Sequence, residues 1–253
     1  MDLSDPGLDP ELAAAPAVRE RFRIALTASL AVVVALGAIF FLQPSLPFLP
    51  ALMIQPQLPE GLLGILTAPL LHGSIGHLAS NAVAVMILGT LAGTVFPRAT
   101  LRALPLIWLL SGFGTWLIGT GGHHLGASGV THGLGFLVFA LGALRRDRPS
   151  IAAALIAFFF FGGMLMSVLP IELGVSWEYH FSGAVAGVLA GIVWRRADPE
   201  PPRRRYSWEL EPEEPAPEET LEPPAPQDVP VLWHRPRPEE RGVVLPFRRP
   251  GGD

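Results

Sequence analysis

Ser128 lies in Gly126-Ala127-Ser128-Gly129, where a glycine-containing turn runs straight into an apolar stretch that reads as a helix. The N–H groups of a helix's first turn have no intrahelical acceptor. With the helix dipole, they favour a developing negative charge at that end. A serine placed there can act as a nucleophile beside part of its own oxyanion site, or serve as a plain helix N-cap. His180 opens a second apolar stretch that carries Gly183, Gly187 and Gly191 at four-residue spacing. Such a ladder of small residues lets two helix backbones approach closely, and Gly129 and Gly133 beyond Ser128 offer a matching surface. Packing the two stretches together brings His180 beside Ser128, where an imidazole can take the hydroxyl proton during attack on a carbonyl. Taken alone, His180 fits a helix cap or a headgroup contact equally well.

The third group is His72-x4-His77-x3-Asn81. His77 and Asn81 are four residues apart and lie one turn apart on one helix face, where both can donate hydrogen bonds to an oxyanion. For Asn81, polar contact between helices is the competing reading. His72 is about 140° from His77 on an ideal helix, so it is expected to precede the helix and brace the loop. A metal site built from His123, His124, His72 and His77 is not expected, because no carboxylate joins them and no HExxH sequence is present. Zero cysteines exclude a disulfide framework and thiolate chemistry. No cofactor, metal or nucleic-acid partner is expected.

The elements that hold these groups follow from composition. Half of the 253 residues are hydrophobic and 16% are charged. The apolar residues gather in blocks of about 17 to 20, the length a helix needs to cross a bilayer. Six spans are read at 24–42, 77–96, 103–120, 128–144, 151–169 and 175–194. The chain has no lysine, and its arginines sort cleanly: Arg19, Arg21 and Arg23 precede the first block, Arg98 and Arg102 follow the second, Arg145, Arg146 and Arg148 follow the fourth, and Arg195 and Arg196 follow the sixth. The positive-inside rule then puts both termini in the cytoplasm and the serine and histidines at the external end. Ionisable groups within a membrane are costly, so this short list is also the list of functional candidates. Glu178, two residues from His180 and on another face, reads as an interfacial residue.

Residues 43–76 are apolar but broken by six prolines, Pro44 to Pro69, and read as an external loop against the membrane surface rather than a seventh span. Residues 1–23 read as a flexible arm, 24–196 as the membrane domain, and 197–253, rich in Pro, Glu and Arg, as a disordered cytoplasmic tail. Arg203, Arg204 and Arg205 in that tail read as an ordinary stop-transfer flank or a contact with anionic lipid.

Together the motifs LLHGSIGHLASN, GASG and HFSGAVAGVLAG, in that order on the second, fourth and sixth blocks, resemble the rhomboid family of intramembrane serine proteases over about residues 24–194. The resemblance implies an all-α, six-transmembrane-helix bundle and a Ser–His dyad without an orienting carboxylate. Ser128 would be the nucleophile and His180 the base, then the acid. His77, Asn81 and the Ser128 N–H would stabilise the tetrahedral intermediate, with His72, Gly126, Gly129, His132, Gly183 and Gly187 in support. It further implies transmembrane protein substrates in the lipid bilayer and, with the alanine- and arginine-rich composition, a bacterial plasma membrane. Family members often carry a Trp-Arg pair in the first external loop; here no Trp or Arg occurs between Ile24 and Phe96. Four residues after the serine, where the family often places an aromatic that stacks on the catalytic histidine, stands His132. A histidine there can stack and also titrate, which predicts an added pH dependence of activity. Phe158-Phe159-Phe160-Phe161 reads as lipid-facing bulk or as part of a lateral gate. A catalytically inactive rhomboid-like binder of membrane clients is the alternative, and a small transporter the third reading.

Overall fold

The computed structural model describes residues 10–171 and 174–199. Six principal helices follow one another: α1 (Pro10–Leu42), α2 (Ile75–Val95), α3 (Pro97–Ile118), α4 (Ser128–Arg145), α5 (Arg148–Phe161) and α6 (Trp177–Trp194). Each expected span overlaps one of these helices and differs from it at the ends, where local capping sets boundaries. Ser74 starts α2 by accepting from His77 N–H at 3.1 Å. Pro97 occupies the first position of α3, where a missing N–H is harmless. Asp147 accepts from Ser150 N–H at the head of α5, and Arg146 leaves α4 in the left-handed region at φ 58°.

Three expectations change. The arm over residues 1–23 is helical from Pro10, because Glu, Leu, Ala and Arg favour helix and extend one already nucleated by the apolar block; residues 1–9 lie outside the described part. Four helices, α1 to α4, are long and apolar enough to cross a membrane. α5 has 14 residues and stops at Gly162-Gly163, after which Met164–Ser167 forms one further turn. α6 has 18 residues but opens with Glu178, Tyr179 and His180, which dilute its hydropathy. Asp198, expected in the tail, is buried; the rest of the expected tail, residues 200–253 with Arg203 to Arg205, lies outside the described residues.

The prolines of residues 43–76 have the predicted effect. They cut that segment into helical turns of three or four residues, such as Leu49–Leu52, Pro59–Leu62 and Gly64–Thr67, with Phe48, Leu58, Leu63 and Leu66 exposed. The loop is fastened inward by a bridge between Ile54 and His124, the one β-type pairing among the described residues.

The core lies between α2, α3, α4 and α6, around Leu88, Phe96, Ile107, Leu137 and Leu141. α4 and α6 pack backbone to backbone. A Cβ on Gly183 would lie 2.8 Å from the Gly129 carbonyl carbon, and one on Gly187 would lie 2.9 Å from that of Gly133. Only glycine permits this approach.

Candidate active site

That glycine contact fixes the relative height of Ser128, the first residue of α4, and His180, in the first turn of α6. Both line a cavity of ≈ 720 Å³ together with His77, Asn81 and His132. The structure therefore gathers five of the six polar groups selected from the sequence around one space, and His72 does not line it. Phe161 and Met164 bound it from the α5 side, whereas Phe158, Phe159 and Phe160 are exposed.

Gly126 shapes the approach to Ser128. Its φ of +115° is a conformation that suits glycine, and a Cβ there would strike the His77 ring, 2.5 Å from Cε1 and 2.6 Å from Nε2. Gly126 N–H donates to the Ala68 carbonyl at 2.9 Å, so the turn is held against the proline-broken segment before α2. Gly129 leaves room for the buried Tyr179 ring.

Neither His180 nor His132 stands free. His132 stacks on His180 with ring centroids 3.8 Å apart and planes 11° from parallel. His132 Nδ1 faces the Ser128 carbonyl at 2.7 Å, and its Nε2 lies 2.9 Å from Ser167 Oγ. His180 Nδ1 faces the Ser167 carbonyl at 3.1 Å. A carbonyl only accepts, so each Nδ1 carries a proton. For neutral His180, the lone pair is then on Nε2. Ser167 thus holds both rings, a role no local spacing announced, since MLMSVLP looks like ordinary apolar chain.

Asn81 is buried and donates one amide hydrogen to the His77 carbonyl at 3.1 Å. His72 precedes α2 and braces the loop. Its backbone N–H and carbonyl both pair with the Gln43 side-chain amide, at 2.9 and 2.8 Å, and its ring meets His77 edge-on at 5.2 Å. Neither His72 ring nitrogen closes a well-formed hydrogen bond. Burial, with His77 adding to it, pushes the His72 imidazole down to about 4.

Two further polar side chains are buried near the site. Glu178 is buried against the α3–α4 connection, where Thr120 supplies two donors to one carboxylate oxygen, N–H at 3.0 Å and Oγ1 at 2.6 Å. His124 is also buried, with Nδ1 2.5 Å from Ser176 Oγ. Among the described residues no cluster of three or more His, Asp or Glu side chains is arranged to hold a metal ion.

Residues 59–197 match the rhomboid domain family. Uncharacterized proteins of Mycobacterium tuberculosis and Mycobacterium bovis are each 38% identical over 149 residues, covering 55% of this chain and 62% of theirs. An uncharacterized protein of Mycobacterium leprae is 36% identical over 141 residues, covering 51% and 55%. The chain therefore spans less than two thirds of the length of these relatives. With apolar helices long enough to cross a bilayer and a family match over more than half its length, this chain is an integral membrane protein that belongs to the rhomboid family.

Proposed function

We propose that the chain is an intramembrane serine endopeptidase that hydrolyses peptide bonds in or near transmembrane segments of membrane-protein substrates. The observation that carries this reading is the single cavity shared by Ser128 at a helix N-terminus and His180, whose Nδ1 is tied to the Ser167 carbonyl so that Nε2 is the basic nitrogen. Ser128 Oγ attacks the scissile carbonyl as His180 Nε2 takes its proton. The negative charge on the carbonyl oxygen is met by the Ser128 N–H, His77 and Asn81. His180 then passes the proton to the leaving amine, and water, activated by the same nitrogen, releases the acyl-enzyme. The Ser167 carbonyl performs the orienting task that a carboxylate performs in a Ser-His-Asp triad. Substrates that unwind easily are favoured, because a helical peptide bond in lipid is hydrogen-bonded and shielded.

In the same reading α5, extended by its following turn, and α6 complete six spans, both termini are cytoplasmic, and the cavity opens toward the external side of a bacterial plasma membrane. The arginine distribution supports this orientation.

A fluorophosphonate probe applied to folded, detergent-solubilised protein tests the proposal. Ser128 becomes labelled in the wild type, and Ser128→Ala or His180→Ala lowers cleavage of a reporter span in liposomes by about a thousandfold or more. A folded wild type that neither labels nor cleaves sinks the protease reading in favour of an inactive client binder.

A further inference from the structure

The dyad residues sit on different helices, and what keeps their outer ends in register is the connection between α3 and α4. His124 is its junction. Its backbone pairs with Ile54 of the first external loop in both directions, at 3.0 and 2.9 Å. Its ring, buried from solvent, meets Ser176 Oγ just before α6. Ser176 in turn accepts the His180 backbone N–H at 3.2 Å through its own carbonyl. One side chain thus joins the loop that delivers Ser128, four residues on, to the residue that holds the backbone of His180. The Glu178–Thr120 pair closes a second tie between the same two segments.

We propose that His124 is a positioning residue for the dyad, acting through Ser176 to set the His180 imidazole against Ser128; this rests on the protease reading given above. Three features argue for it over loop packing alone. The contact is between side chains of a loop and a helix start distant in the sequence. Apart from a backbone contact with Gly121, the buried His124 ring has Ser176 Oγ as its polar partner. And Gly119 packs beside the ring: a Cβ there would come within 3.2 Å of His124 Nε2 and 2.6 Å of Pro56, so a larger residue would crowd it. Burial lowers the His124 pKa, opposed by Glu178 and a backbone hydrogen bond with Gly121 and assisted by His123.

The test is a cycle of His124→Leu, Ser176→Ala and the double variant, read by the rate of fluorophosphonate labelling and by kcat and KM on a reporter span. A displacement of the base by about 1 Å is enough to lower the chemical step by about a hundredfold. Each single variant is expected to lower kcat and the labelling rate with little change in KM. The double variant should fall no further than the worse single one, and His124→Asn, which keeps a donor and an acceptor, should recover part of the rate. If His124→Leu fails to fold, Ser176→Ala, a one-atom change outside the core, carries the test. Folded variants that label at the wild-type rate, or strictly multiplicative losses in the cycle, overturn the positioning role while leaving the protease reading intact. A folded wild type that does not label removes both.

Discussion

A histidine base needs one ring nitrogen protonated and held, and the other free. Ser167 supplies the hold on His180, and the stacked His132 limits how the ring can tilt. Because the two imidazoles lie 3.8 Å apart, a proton on one disfavours a proton on the other, so their titrations are coupled. Replacing His132 by tyrosine keeps an aromatic face and removes the second titrating site. The acid limb of the kcat profile is then expected to reduce to a single ionisation, and an unchanged profile rejects the coupling. His72 gives a second pH effect, this one on stability. Its folded-state pKa of about 4 lies below the ordinary histidine value of 6.5, so the unfolded chain binds the extra proton first as pH falls. The stabilisation from neutral His72 is complete above pH 6.5 and declines toward pH 4. His72→Leu should flatten that decline in thermal unfolding measured in detergent between pH 7 and pH 5, and a parallel decline in both proteins would count against it.

At the scale of elements, α4 and α6 carry the site, and their glycines set how closely it is assembled. A methyl group on Gly187 would meet Gly133 backbone 2.9 and 3.0 Å away, with no flexible side chain to give way. Gly187→Ala should therefore push the helices apart and destabilise the fold by about 1–3 kcal/mol. Gly135→Ala is the control on α4, since its Cβ would find only Leu88 Cδ1 at an ordinary 3.7 Å and helix propensity favours alanine. Equal melting temperatures for the two variants would show that the ladder is not the contact that matters. This ladder was legible in the sequence because four-residue spacing maps directly onto one helix face. So was the grouping of Ser128, His77, Asn81 and His180, which fall near the starts of their helices and line one cavity. His132 was legible as a stacking group but not as a double hydrogen-bonding one. Ser167, the His124–Ser176 contact and the burial of Glu178 were not legible, since each depends on which loop meets which helix start, and those partners are far apart in the chain with no common period. The helix ends differ for a related reason: Ser74, Asp147 and Asp198 set them through one or two side-chain hydrogen bonds each, which hydropathy does not register.

For the whole molecule, the face opposite the cavity is tied by one arginine. Arg145 ends α4, and its guanidinium donates to Asp147 Oδ2 at 3.0 Å, to the Asp198 carbonyl at 2.9 Å and to the Pro199 carbonyl at 3.0 Å, while it covers the Phe96 ring. The Asp198 carboxylate, buried, accepts the Arg98 and Ala99 N–H groups at 2.8 and 3.0 Å, the open donors at the start of α3. The chain leaving α6 thereby caps α3 and is pinned to α4 and to the start of α5, so one knot couples the helices that carry Ser128 and His180 to those that flank them. Hydropathy alone assigns Asp198 to a solvated tail, whereas its two oxygens match two unsatisfied donors. Asp198→Ala should destabilise the fold by about 1–2 kcal/mol through loss of that cap. Arg145→Met, which leaves two backbone carbonyls and Asp147 without their donor, should cost about 2–4 kcal/mol. Because the two residues share one network, the double variant should lose less than the sum of the single losses. Additive losses in detergent unfolding would mean that the cap and the arginine act separately and do not form one network.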